Sequence, residues 1–141
     1  MRRKFCILVS IAVVLYALAT ASYAQEPESS TFQPKYYGSI PYLSGGVGLD
    51  QREALNEVSK DYNLKLSFAL VSGEYLSDIA VEIRDSAGHV VLEAVSEGPW
   101  FFCRLPPGRY KVVVKYNEKI QERAVQAVGK GQTVLNFFWQ E

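Results

Sequence analysis

The residues with the most chemistry in this chain sit together in EGPWFFCRLPPGRYKVVVKY, Glu97 to Tyr116. The thiol of Cys103 stands beside Arg104 and follows Trp100, Phe101 and Phe102. A nucleophilic thiol needs its pKa lowered by a base, a cation or a helix N-terminus. The sole histidine, His89, lies upstream in an Ala-Gly-His turn. Strand alternation puts Cys103 on the apolar face with Phe101 and Leu105, and turns Arg104 the other way. A free cysteine in that setting behaves as a small buried hydrophobe. No catalytic residue is therefore assigned, and the chain is not expected to be an enzyme.

The opposite face carries Trp100, Phe102 and Arg104. Exposed aromatics serve as platforms for sugars or as protein interfaces. The simpler account is that a helix packs over them. Tyr36, Tyr37 and Tyr42 are further binding candidates, in a segment whose Pro and Ser content otherwise suits a linker. No His/Cys/carboxylate set has metal-ligand spacing, and Asp78, Glu82 and Asp85 are too scattered for calcium. No cofactor is expected. Ser44 to Gly48, SGGVG, precedes a helix but lacks the Lys-Ser/Thr of a phosphate loop, so it reads as a hinge or tight turn.

The chain opens on a basic Arg2-Arg3-Lys4 and an apolar run from Phe5 to Leu18, then Ser22-Tyr23-Ala24. That is the layout of a signal peptide cleaved between Ala24 and Gln25. The apolar run is short for a membrane span, and Cys6 lies too early to be a lipid anchor. Cleavage removes three of the 15 basic residues and none of the 15 acidic ones, leaving 12 against 15. A mildly acidic chain does not suit nucleic-acid binding, which neutralises phosphates with basic patches. Cys103 alone remains of the two cysteines, so packing without a disulfide must hold the domain. A periplasmic or secreted location follows, with no membrane span after cleavage.

Three regions are expected: the signal peptide at 1–24, a flexible Pro- and Tyr-containing arm at 25–46, and a helix plus β-sandwich at 47–141. For the helix, Asp50 reads as N-cap with Glu53 at capping-box spacing. Leu55, Val58 and Tyr62 form its apolar stripe, and Asn63 its stop. From Leu64 the period becomes two. Leu64/Leu66/Phe68/Leu70, Ile79/Val81/Ile83, Val90/Leu92/Ala94, Phe101/Cys103/Leu105, Tyr110/Val112/Val114, a polar run from Ile120 to Val128, and Leu135/Phe137/Trp139 each read as a strand. Turn signals separate them, so about seven short strands imply a mainly β sandwich preceded by one amphipathic helix.

The corner LPPGRYKVVV, Leu105 to Val114, and the upstream VEIRDSAGHVV, Val81 to Val91, resemble the carboxypeptidase regulatory-like modules. Those are transthyretin-like, or prealbumin-like, β-sandwiches. The resemblance runs from about Leu76 to Trp139 and implies a seven-strand prealbumin-like sandwich. Hydroxyisourate hydrolases share that fold but use several histidines and end in Tyr-Arg-Gly-Ser, whereas this chain has one His and ends NFFWQE. Their activity does not carry over. The expectation is an exported, non-enzymatic binding or interaction module of the bacterial cell envelope. Its partner is an envelope protein or a glycan, reached through Tyr36, Tyr37, Tyr42, Trp100, Phe102 and Arg104. The alternative is a carbohydrate-binding module using surface aromatics.

Overall fold

The computed structural model describes residues 32–141. The leader with its Ala24–Gln25 cleavage site lies outside the described residues. Among the described residues two sheets stack into a β-sandwich, with one helix on the outside. The elements are β1 (Lys35–Tyr37), β2 (Ile40–Gly45), α1 (Leu49–Val58), β3 (Leu64–Leu70), β4 (Ala80–Asp85), β5 (Val90–Val95), β6 (Trp100–Cys103), β7 (Gly108–Tyr116), β8 (Lys119–Ala127) and β9 (Thr133–Trp139). One sheet has the order β1-β2-β6-β3-β9, the other β5-β4-β7-β8. All pairings are antiparallel except β3 with β9. Among the described residues no helix is long and apolar enough to cross a membrane.

Alternation builds the main core. Leu64, Leu66, Phe68, Phe101, Cys103, Leu105 and Phe137 of one sheet meet Val81, Ile83, Leu92, Val112 and Val114 of the other. Each inward side chain contributes on the order of 1.5–3 kcal/mol by leaving water. The tight turns use the residues they require. Asn117 and Glu118 take positive φ (44° and 63°) between β7 and β8, the left-handed pair that a two-residue hairpin loop needs. Asp85 Oδ1 accepts the backbone N–H groups of Ala87 (3.0 Å) and His89 (2.9 Å), which closes the β4–β5 turn.

Nine strands are present among the described residues, not seven. The two additional ones, β1 and β2, lie in the stretch read from sequence as an irregular arm. They form a hairpin that pairs Lys35 with Tyr42 and Tyr37 with Ile40. β2 then joins β6, pairing Leu43 with Phe102. The hairpin carries no clean alternation because β2 is covered on both sides. Ile40 enters the main core, while Leu43 faces the helix. Residues 25–31 of that stretch lie outside the described residues.

A second, smaller core holds α1 on the outer face of the five-stranded sheet. Leu55 and Tyr62 close over Leu43 and Phe102, with Phe32 and Trp100 at the margin. The helix starts and ends differently from its sequence signals. Gly48 is the N-cap, with φ 82° and no side-chain capping bond. Asp50 sits inside the first turn. The reach-back is made by Gln51, whose Oε1 accepts the Val47 N–H at 3.1 Å, so Glu53 has no capping partner to serve. The helix stops at Val58, capped by Ser59, and Val58 is 42% exposed instead of lying on the buried stripe. Tyr62 reaches the apolar face from the turn after the helix.

Candidate functional site

The six candidate residues part company in the fold. Phe102 has 0% exposure and lies under α1, so it has no surface to offer a ligand. Trp100 is half-buried and meets Phe102 edge-on at 6.2 Å. The Lys65 ammonium stands 3.5 Å above its ring. Burial lowers the Lys65 pKa, and the ring face supplies a compensating attraction. Tyr42 points into the main core, stacked on Phe101 with centroids 5.4 Å apart. Tyr37, 38% exposed, leans toward the four-stranded sheet, beside Val95, Lys115 and Ile120.

Tyr36 and Arg104 are brought together. Both line a cleft of about 720 Å³ at one end of the sandwich. Its walls come from four connections: the β1–β2 turn (Ser39), the turn after α1 (Lys60, Asp61), the Pro106-Pro107 corner between β6 and β7, and the Gly129-Lys130-Gly131 loop between β8 and β9. Tyr36 is 65% exposed. Arg104 is also exposed, with its backbone N–H donated to Pro41 O at 3.1 Å. Its guanidinium stands 5.9 Å from the Tyr62 ring centre. Burial pushes the Tyr62 phenol up, and the Arg104 charge opposes that shift.

Two amide side chains hold the walls in register. Asn63 Nδ2 donates to Leu105 O at 2.7 Å and to Val128 O at 3.1 Å. Its Oδ1 accepts the Leu105 N–H at 2.9 Å. Asn63 O accepts the Thr133 N–H at 2.9 Å. Gln132 Nε2 donates to Ser59 O and Tyr62 O, at 3.2 and 3.0 Å. The corner is tied from its other side by the Tyr110 hydroxyl, which donates to Pro106 O at 2.7 Å. Three separate loops are thus fastened to one another before any ligand arrives. Sequence reasoning took Asn63 for a helix stop and passed over Gln132. Neither residue type is diagnostic, and both act across long sequence separations.

The cleft is electropositive. Lys60, Arg104 and Lys130 face a single acid, Asp61. Lys60 pairs with Glu57 at 2.8 Å, whereas Arg104 and Lys130 make no ion pair among the described residues. Across the same corner a smaller cleft of about 320 Å³ is lined by Arg84, Asp85, Arg109, Tyr110 and Lys111.

The other reactive groups do not line the cleft. Cys103 is completely buried in the main core, where burial pushes its thiol pKa up. His89 Nδ1 lies 3.5 Å from Asp85 on an exposed turn. Among the described residues no three His, Cys, Asp or Glu groups gather as a metal site. Ser44 to Gly48 is a strand end leading to a helix cap. Its Ser44 hydroxyl donates to Trp100 O at 3.0 Å and accepts the Glu97 N–H at 2.8 Å. Comparison with protein-family models and with curated proteins gave no match.

Proposed function

We propose that this chain is an exported, non-enzymatic binding module of the bacterial cell envelope, working through the corner cleft from the periplasm or outside the cell. A prealbumin-like sandwich of the carboxypeptidase regulatory-like type is the proposed family, on the strength of the LPPGRYKVVV corner. One observation carries the functional reading. Tyr36 and Arg104 meet in a cleft whose walls are clamped by Asn63 and Gln132. Preorganised walls spare a ligand the entropy of ordering loops, and neither Tyr36 nor the Arg104 guanidinium is consumed by an ion pair or hydrogen bond among the described residues. A buried thiol of raised pKa is a poor nucleophile, which supports a binding role over catalysis.

The alternative, a carbohydrate platform made by Trp100 and Phe102, loses its floor because Phe102 is covered. The test is in-cell photo-crosslinking of the tagged full chain from a reactive residue placed at Ser39, followed by mass spectrometry. The expected result is one dominant envelope component, lost in the Tyr36→Ala and Arg104→Ala variants. Recovery unchanged by both substitutions would overturn the role of the cleft.

A further inference from the structure

We infer that the ligand of the corner cleft is an acidic glycan, a sugar chain that carries carboxylates; the inference rests on the binding reading above. The first ground is charge. Lys60 is met by Glu57, but Arg104 and Lys130 line the cleft with no ion pair among the described residues and only Asp61 beside them in the lining, although the chain outside its leader holds more acidic than basic residues. Like charges gathered at one end of an acidic molecule cost self-repulsion unless an anion meets them. Arg104 is suited to that task. Its planar fork binds carboxylate with two parallel hydrogen bonds, and its backbone is fixed by Pro41.

The second ground is the spacing of the donors. Lys60, Arg104 and Lys130 stand on three different connections around the cleft. A single compact anion would need its donors converging on one point. Donors spread around an open mouth suit several carboxylates strung along a chain. The smaller cleft beyond the corner adds Arg109, while its Arg84 and Lys111 are paired with Glu82 and Glu122.

The third ground is the surface between the charges. Tyr36 offers an exposed ring, and Pro106 and Pro107 are exposed flat faces on the opposite wall. Sugar rings present C–H faces that pack on such surfaces, and their hydroxyls find Ser39 and Asp61 nearby. An apolar peptide would meet few partners here. A single-stranded nucleic acid draws its affinity from successive base stacking on several aromatics, and among the described residues Tyr36 is the only aromatic in the cleft lining. The volume, about 720 Å³, falls within the roughly 300–1,000 Å³ of small-ligand sites.

The test is calorimetric titration of the purified protein with a galacturonate oligomer, its fully methyl-esterified counterpart and a single-stranded oligonucleotide of similar length. Binding of the acidic oligomer is expected, at least about tenfold tighter than that of the neutral ester. Its affinity should fall as salt rises. Arg104→Gln combined with Lys130→Gln should weaken it by about tenfold or more, and Tyr36→Ala should weaken the acidic oligomer without restoring the ester. All three positions are exposed, and an unchanged melting temperature verifies that each variant is folded. Equal affinity for acid and ester, tighter binding of the oligonucleotide, or indifference to Arg104→Gln would each overturn the inference. No glycan binding, together with a crosslinked protein that requires Tyr36 and Arg104, would overturn the ligand class and leave the binding module standing. No glycan binding and no such crosslink would overturn both.

Discussion

The side chain of Asn63 pairs with the backbone of Leu105 as a neighbouring strand would, donating at 2.7 Å and accepting at 2.9 Å. The pair joins the turn after α1 to the Pro-Pro corner, and a third bond to Val128 brings in the end of β8. Asn63 is buried, so its removal strands the Leu105 N–H and carbonyl away from water and frees the part-buried Val128 carbonyl. Asn63→Ala should cost about 3 kcal/mol. Urea unfolding measures the loss. A cost near zero would mean that water or a shifted loop satisfies these groups and that the cleft is not held by this amide.

Gly98 tests a different kind of fit. Its φ needs no glycine, but a Cβ there would lie inside contact distance of the Gly45 backbone carbonyl. Neither neighbour is a flexible side chain that can swing aside. Gly98→Ala should destabilise by about 1–3 kcal/mol or more, whereas Gly129→Ala, which meets open space, should fall within about 0.5 kcal/mol of the parent. Paired denaturation curves decide it, and equal midpoints would contradict the close approach of β2 to the β5–β6 turn.

Phe102 and Arg104 are two positions apart and have opposite fates. Phe102→Ala empties the small core under α1 and should cost about 3–5 kcal/mol. Arg104→Ala removes an exposed side chain and should stay within about 0.5 kcal/mol. Unfolding of both variants reads the contrast directly. A mild Phe102 variant with lost binding would return that residue to the candidate site.

The Cys103 thiol gives a pH dependence of defined sign. Burial raises its pKa in the folded state, while the unfolded chain releases the proton near 9.0. Below that pH both states hold the proton and nothing is lost. Above it the unfolded state is favoured, and stability should fall by up to about 1.4 kcal/mol per pH unit. Cys103→Ala should flatten the curve between pH 9.0 and 10.0, before Tyr62 and Tyr110, also raised by burial, add their own decline. Thiol-reactive dye should label the native protein only at the rate of unfolding. Rapid labelling, or an unchanged slope in the variant, would show the thiol to be accessible.

The seven strands read from the sequence are present as β3 to β9, and β6, covered on both faces, was legible through Phe101 and Cys103. β3, β4, β7 and β9 alternate cleanly, and the inward residues read from their period are those of the main core. β2 was not legible because Leu43 is buried on the helix side and Ile40 on the other, so burial follows no period of two. The helix was legible through Leu55 but not at its ends, where Gly48 and Gln51 outcompete Asp50 and Glu53. Arg104 and Tyr36 could be picked out by type. Their meeting could not, because it depends on how β2 and β6 pair and on amide contacts that a single sequence does not announce.

The parallel pairing of β3 with β9 sets when the main core can close. Leu64 waits for Thr133 and Leu70 for Trp139, and Phe137 and Trp139 then seal Phe68 beneath them. During synthesis β9 emerges long after its partner β3, and such long-range pairing is slow to form. A growing or prematurely ended chain therefore keeps Phe68 and its neighbours accessible to chaperones and proteases. Until β9 is in place those side chains stay open, so a chain cut before Thr133 is betrayed by its own uncovered core.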